Sequence, residues 1–379
     1  MTGYSEPNRH LTSARKGDAE GVSGLQWSVF GWNLALLPAI GFGLSFLLTA
    51  FWAKKGAAWG LMDLPRERRV HDIPRPYTGG LAIFLAFSLT LLLTGGLNFP
   101  YLGPILIGGL VIFLLGLVDD KYDLSAGQKL VVQILVATFI TGAGIRIGYL
   151  TNPFGEMVAL GWKGYPLTII WLVLTINVIN IIDGLDGLAA GVSAIAGLSL
   201  LVIGLSLGQS AAVFLCAILV GVLLGFLPYN FCPARIFMGN SGAYFLGFML
   251  GVISVMGALK LPTVLALVIP VFAMGIPFLD TLWAVWRRWR NGEQITQGDR
   301  YHIHHLLLTS GLGMKKSVLI LYALSLLSGL ASIFLSQATL RLGFLIVLVG
   351  IGLIFLCLYG LMSLQSAARE QEEEERRSW

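Results

Sequence analysis

Charge is scarce in this sequence: only 12% of its 379 residues are Asp, Glu, Lys or Arg, about half the share usual in a soluble domain. Cysteine is scarcer still. Cys216, Cys232 and Cys357 lie far apart without metal-ligand spacing, which excludes a disulfide scaffold or a zinc module and leaves small apolar fillers. No internal repeat is visible, which argues against a transporter built from repeated halves. The first 28 residues contain no short apolar stretch ending in a cleavage-type site, so they read as a disordered polar tail and not as a signal peptide.

What is abundant is apolar length. Hydrophobic residues make up 56% of the chain and the mean hydropathy is +0.80. Runs long enough to cross a hydrocarbon core of ~30 Å recur throughout. We place spans at 29–52, 78–94, 104–118, 129–145, 166–182, 188–207, 211–229, 243–259, 263–286, 318–336 and 340–362. The expected fold is an all-α polytopic integral membrane protein of about eleven transmembrane helices. A membrane domain over 29–363 follows the tail 1–28 and precedes a charged tail, 364–379, with no role we can argue. The 47 glycines suit close helix–helix approach.

Lys and Arg set the orientation. Eighteen of the 25 basic residues fall in the loops 54–77, 119–129, 230–242 and 287–317 and in the C-terminal tail. The opposite loops hold Arg146, Lys163, Lys260 and Arg341, and the N-terminal tail the other three. The basic side is therefore expected in the cytoplasm, with the N-terminus outside and the C-terminus inside. The pI near 9.1 reflects this asymmetry and implies no nucleic-acid partner.

Every unusual polar cluster falls on that same side. In "GLVDDKYDLSAGQK", Asp119 and Asp120 are adjacent carboxylates that need a cation or a proton to coexist. On a helix Asp123 lies one turn away, and three hard-oxygen groups suit Mg²⁺ or Mn²⁺ with phosphate substrates; the plain alternative is a solvated loop start. In "NVINIIDGLDG", Asn177, Asn180, Asp183 and Asp186 recur every third residue inside an apolar run. Each carboxylate at bilayer depth would cost at least about 2.5–3.5 kcal/mol. Successive members drift by about 60° on a continuous helix, and Gly184 and Gly187 allow a break. The plain alternative is a polar contact between spans.

In "PARIFMGNSG", Asn240 or Ser241 could be an ordinary N-cap, or the helix start could favour an anion. "GDRYHIHHLLL" packs Asp299, Arg300, His302, His304 and His305 together, with neither a zinc-protease nor a finger spacing. An arginine with several imidazoles suits a diphosphate. "DLPRERRVHDIPRPYTGG" supplies four arginines and His71, either ordinary positive-inside charge or an anion-attracting wall.

Together, from about residue 60 to 325, these motifs resemble the polyprenyl-phosphate N-acetylhexosamine-1-phosphate transferases, in family order and with suitable spacing. "DRYHIHH" looks like the GlcNAc-type (WecA/TagO-like) branch, and not like the related MurNAc-pentapeptide (MraY) branch. The resemblance implies transfer of a sugar 1-phosphate from a UDP-N-acetylhexosamine to polyprenyl phosphate, with release of UMP. It implies a cytoplasmic site in the inner (plasma) membrane, Mg²⁺ (or Mn²⁺) as cofactor, and the lipid bilayer as setting; a homodimer is compatible with it. By the same resemblance Asp119 and Asp120 position or deprotonate the lipid phosphate near the metal, and Lys129 is its counter-charge. Asn180 and Asp183, with Asn177 and Asp186 close by, line the nucleotide and metal site. Arg300, His302, His304 and His305 grip the diphosphate, with His71 as a further substrate-binding group.

One position departs from the family. Asn240 stands where "MGDSGS" usually has a metal-ligating Asp, and Ala243 replaces a Ser. An amide oxygen still ligates Mg²⁺ but brings no charge. The readings are a working variant with weaker metal affinity, an engineered inactive form, or a natural protein of reduced activity; the intact acidic and histidine motifs favour the first. The competing functional classes are a phospho-MurNAc-pentapeptide transferase and a non-catalytic lipid-binding or transport protein of the same fold.

Overall fold

The structure, a computed structural model, describes residues 28–29, 32–56, 62–63, 74–95, 99–151, 157–258, 271, 274–291, 307–308 and 313–337. Helices dominate: α1 (Leu36–Lys55), α2 (Gly79–Gly95), α3 (Leu102–Tyr122), α4 (Ala126–Gly142), α5 (Gly164–Ile182), α6 (Leu188–Ser206), α7 (Ser210–Asn230), α8 (Gly239–Ala258), α9 (Gly275–Asn291) and α10 (Met314–Gln337). Seven of these are long and apolar enough to cross a membrane, and α2 and α4 are shorter apolar helices. The chain is a polytopic membrane protein.

Most expected spans coincide with a helix to within a few residues, because an apolar run of this length has no other way to satisfy its backbone in lipid. Two differ. The expected span 263–286 is described as a helix only from Gly275, and that helix ends in the basic sequence WRRWRN and is not among the apolar spans. The span 340–362 lies outside the described residues. The all-α expectation also lacked three two-stranded antiparallel ribbons, β1 (Ser28–Val29) with β2 (Trp32–Asn33), β3 (Met62–Asp63) with β4 (Arg75–Pro76), and β5 (Tyr149–Thr151) with β6 (Met157–Ala159). They occur in connections, where backbone groups that leave a helix pair with each other.

Helix α8 is the axis of the bundle. It packs against α2, α3, α5, α6 and α7 and is buried along nearly its whole length. Helix α4 leans on α3 and α5, and its faces bearing Val131, Leu135 and Phe139 remain open to lipid. It starts with a capping box: the Gln128 N–H donates to Ser125 Oγ at 3.4 Å, and the Ser125 N–H to Gln128 Oε1 at 2.9 Å.

Helices α3 and α8 approach most closely at Gly116, where a Cβ would sit 2.4 Å from Ser241 Cα. Because the obstacle is backbone, Gly116→Ala is expected to force the helices apart and destabilise by about 1–3 kcal/mol. Thermal unfolding in detergent checks this; an unchanged melting temperature would show that the contact is not a constraint.

Candidate active site

The start of α8 organises the polar clusters. Gly239, at φ 71°, turns the chain in the left-handed region that side chains avoid. The Asn240 and Ser241 N–H groups then point at one carboxylate, donating to Asp120 Oδ1 at 2.8 Å and Oδ2 at 3.2 Å. The cap of α8 is thus an aspartate from the end of α3, and neither Asn240 nor Ser241 caps its own helix. An anion at a helix N-terminus is favoured by the free N–H groups and the helix dipole. A backbone ladder holds the neighbourhood, with Phe237 N–H donating to Pro76 O and the Gly79 and Gly80 N–H groups donating to Phe237 O and Met238 O, all at 2.8–2.9 Å. Tyr77, in the same strap, has its hydroxyl pushed up in pKa by burial and by the Asp120 carboxylate, so it stays protonated.

Helix α5 ends at Ile182 and α6 begins at Leu188, so the "NVINIIDGLDG" stretch straddles a break. Asn180, in the last turn of α5, donates from Nδ2 to Asn240 Oδ1 at 2.8 Å. Asp183 follows at the helix end and Asp186 in the turn, where its Oδ2 accepts from the Ala234 N–H at 2.8 Å. On the far side, the Tyr322 hydroxyl of α10 donates to Gly187 O at 2.6 Å and pins the turn. Asp183 itself receives no hydrogen bond and no cation among the described residues, and burial together with the nearby Asp120 and Asp186 pushes its carboxyl up to about 7.

The two adjacent aspartates of α3 part company. Asp120 faces α8's N-terminus, whereas the Asp119 side chain is wholly buried and held by three protein donors. Its Oδ1 accepts from Lys129 Nζ at 2.8 Å and from the Leu124 N–H at 2.9 Å, and its Oδ2 from the Tyr244 hydroxyl at 2.9 Å. One turn deeper, Asn177 donates from Nδ2 both to Val173 O and to Oε1 of the buried Gln133, each at 2.7 Å. The links Asp119–Lys129, Gln133–Asn177, Asn180–Asn240 and Asp120–Asn240 therefore close a polar circuit through α3, α4, α5 and α8.

Of the residues singled out in the sequence, Asp120, Asn180, Asp183, Asp186 and Asn240 converge at one end of this circuit, with Asp119, Lys129 and Asn177 behind them. His71, Arg300, His302, His304 and His305 lie outside the described residues. Sequence reading missed Gln133, Tyr244, Tyr77 and Tyr322. For Gln133 the signal was present, an amide inside an apolar helix, but its partner lies 44 residues away.

Among the described residues, no group of three His, Cys, Asp or Glu side chains is close enough to cage a metal alone. The donor set nevertheless fits a hard divalent cation. It is all oxygen, its Asp183 carboxylate is unmatched among the described residues, and two or so protein carboxylates completed by substrate phosphate oxygens is the usual way such an ion is held. These carboxylates and amides gather beside the N-terminus of α8.

A sequence model of the "Glycosyl transferase family 4" matches residues 102–258, from the start of α3 to the end of α8. The chain is 40% identical over 291 residues to a probable undecaprenyl-phosphate N-acetylglucosaminyl 1-phosphate transferase of Bacillus subtilis, covering 76% of this chain and 81% of that protein. It is 31% identical over 320 residues to a decaprenyl-phosphate N-acetylglucosaminephosphotransferase of Mycolicibacterium smegmatis, covering 76% and 79%. A Thermotoga maritima undecaprenyl-phosphate alpha-N-acetylglucosaminyl 1-phosphate transferase is 31% identical over 291 residues, covering 76% and 86%. With the matched region running from α3 to α8 and relatives at 31–40% identity matching 76% of the chain, the chain belongs to the polyprenyl-phosphate N-acetylglucosaminyl 1-phosphate transferases of glycosyl transferase family 4.

Proposed function

We propose that this protein transfers N-acetylglucosamine 1-phosphate from UDP-GlcNAc to polyprenyl phosphate at the cytoplasmic face of the membrane, releasing UMP. The observation that carries the reading is the meeting of Asp120, Asp183 and Asp186 with Asn180 and Asn240 at one end of the helical bundle, among them a carboxylate with no partner among the described residues. The excess of Lys and Arg in the loops at that end supports the cytoplasmic assignment.

An oxygen of the lipid phosphate attacks the phosphorus that carries the sugar. The bond from that phosphorus to the bridging oxygen breaks, and the oxygen leaves with UMP; the product is a polyprenyl diphosphate sugar. A phosphate monoester has its second pKa near 6, so the acceptor is already largely dianionic at neutral pH and needs positioning more than a base. Asp120, Asp183 and the amide oxygens of Asn180 and Asn240 are the groups that would hold Mg²⁺. Bound there, the ion supplies charge that offsets the diphosphate. Asn240 keeps its oxygen in place by accepting from Asn180, while α8's N–H groups hold Asp120 against recoil. Lys129 faces the acceptor phosphate, and Arg300 with His302, His304 and His305 takes the diphosphate.

The test is UMP release by purified protein given UDP-GlcNAc, undecaprenyl phosphate and Mg²⁺. Release that requires the lipid and stops with EDTA is expected; metal-independent binding without UMP would instead favour a non-catalytic lipid-binding protein. Asn240→Asp places one more negative oxygen in the cradle. We expect the Mg²⁺ concentration for half-maximal rate to fall about tenfold, the effect of roughly 1.4 kcal/mol of added attraction, with the metal-free variant less stable than the parent. Metal titration of the rate checks this.

A further inference from the structure

We propose that Tyr244 and Asp119 form a buried anchor that sets Lys129 for the acceptor phosphate, which makes both of them positioning residues and Asp119 neither a metal ligand nor a base. The inference rests on the proposed transferase reaction and adds to it a division of labour between neighbouring aspartates and a residue, Tyr244, with no role so far.

The crowding of donors on Asp119 is the first observation. An ionised carboxylate offers about four lone-pair sites, and Asp119 has three donors on them at 2.8–2.9 Å inside a side chain with no exposed surface. A metal or a substrate group would have to enter this buried, largely occupied pocket beside the Lys129 ion pair, and disrupting a buried ion pair is strongly unfavourable. Asp120, next along α3, is held by backbone N–H groups at the rim of the cradle and keeps lone pairs available.

The second observation is what the donors are. Lys129 is 23% exposed along its side chain, and an ammonium carries three N–H donors. With one spent on Asp119, the others face away from the anchor. Without the anchor a lysine on the first turns of α4 would sample many rotamers, and ordering it would reduce binding. Tyr244 is 1% exposed and one helical turn beyond Asn240, so α8 grips both aspartates of α3, Asp120 through its first N–H groups and Asp119 through the tyrosine hydroxyl. The position of Lys129 is thereby coupled to the helix that presents Asn240 to the cradle.

Three variants decide it: Tyr244→Phe, Asp119→Asn and Lys129→Met, assayed with undecaprenyl phosphate in detergent micelles. Tyr244→Phe and Asp119→Asn are expected to raise KM for the lipid about tenfold or more, the factor that one lost hydrogen bond to a charged group commands. KM for UDP-GlcNAc and the Mg²⁺ concentration for half-maximal rate should stay unchanged. The Tyr244→Phe/Lys129→Met pair should bind the lipid no more weakly than Lys129→Met alone, because Tyr244 acts through Lys129. A shifted Mg²⁺ requirement in Asp119→Asn, or an unchanged lipid KM in Tyr244→Phe, overturns the anchor. Acylation of Lys129 by an amine-reactive ester, read by peptide mass spectrometry, gives an answer without turnover. A severalfold faster reaction in Tyr244→Phe supports the anchor, and an equal rate overturns it. If the parent protein releases no UMP, the transferase reading fails while this labelling still decides the anchor.

Discussion

Asp183→Asn is expected to cut lipid-dependent UMP release by about 10²–10³-fold, the scale for loss of one preorganised electrostatic group, while making the metal-free protein more stable. The two effects have one cause. In the folded chain the Asp183 carboxyl is pushed up from 3.8 to about 7 by burial and by Asp120 and Asp186, with no donor or cation among the described residues to offset them. Between those two values the folded protein holds a proton that the unfolded chain releases, so this group's contribution to stability declines as pH rises from about 4 to about 7. The amide carries no charge to desolvate or repel and removes that decline. Melting temperatures in EDTA should therefore separate in favour of Asp183→Asn as pH rises from 5 to 8, and added Mg²⁺ should narrow the gap by stabilising the parent. Equal melting temperatures across that range would show that Asp183 has a partner, and undiminished UMP release would remove it from the site. Strain of this kind, kept where a charged ligand relieves it, is characteristic of functional sites.

Asp120→Ala is expected to damage activity and fold together. Its carboxylate takes two backbone N–H groups at the start of α8, and losing a helix cap costs about 0.5–2 kcal/mol. The same change removes a charge from the cradle and frees the backbone that carries Asn240, so UMP release should fall by about 10³-fold or more, beyond the effect of a single electrostatic group. Asp120→Asn separates the components. Its one carbonyl oxygen still accepts from the α8 start, which should restore most of the melting temperature, but the missing charge leaves the rate low. If Asp120→Asn recovers the rate as well, Asp120 is a cap and not part of the cation site.

The contrast between the two aspartates shows what was legible beforehand. Adjacent carboxylates at 119 and 120 signalled a demand for positive charge, and the demand is real at both positions. It is met by different means, an ammonium and a phenol at Asp119 and helix N–H groups at Asp120. Positions next to each other on a helix point about 100° apart, so neighbours in sequence enter separate surroundings. The motif "MGNSG" likewise announced a helix start, and α8 begins there. That its cap is an aspartate 120 residues earlier was not to be read from the motif, since Asn and Ser are good caps in their own right.

By itself the sequence determined that the chain lies in a membrane, where most of the spans fall, and that α5 breaks before α6. Each of these follows from local composition: the bilayer rewards apolar length and penalises charge residue by residue. Only the tertiary structure decided the partners. The pairs Gln133–Asn177, Asn180–Asn240 and Tyr244–Asp119 join residues 44, 60 and 125 positions apart. Which buried polar group meets which depends on how closely helices approach, and at the α3–α8 crossing that is set by Gly116, where a Cβ would sit 2.4 Å from the Ser241 backbone. Periodicity along one helix carries no information about the rotation and depth of its neighbour.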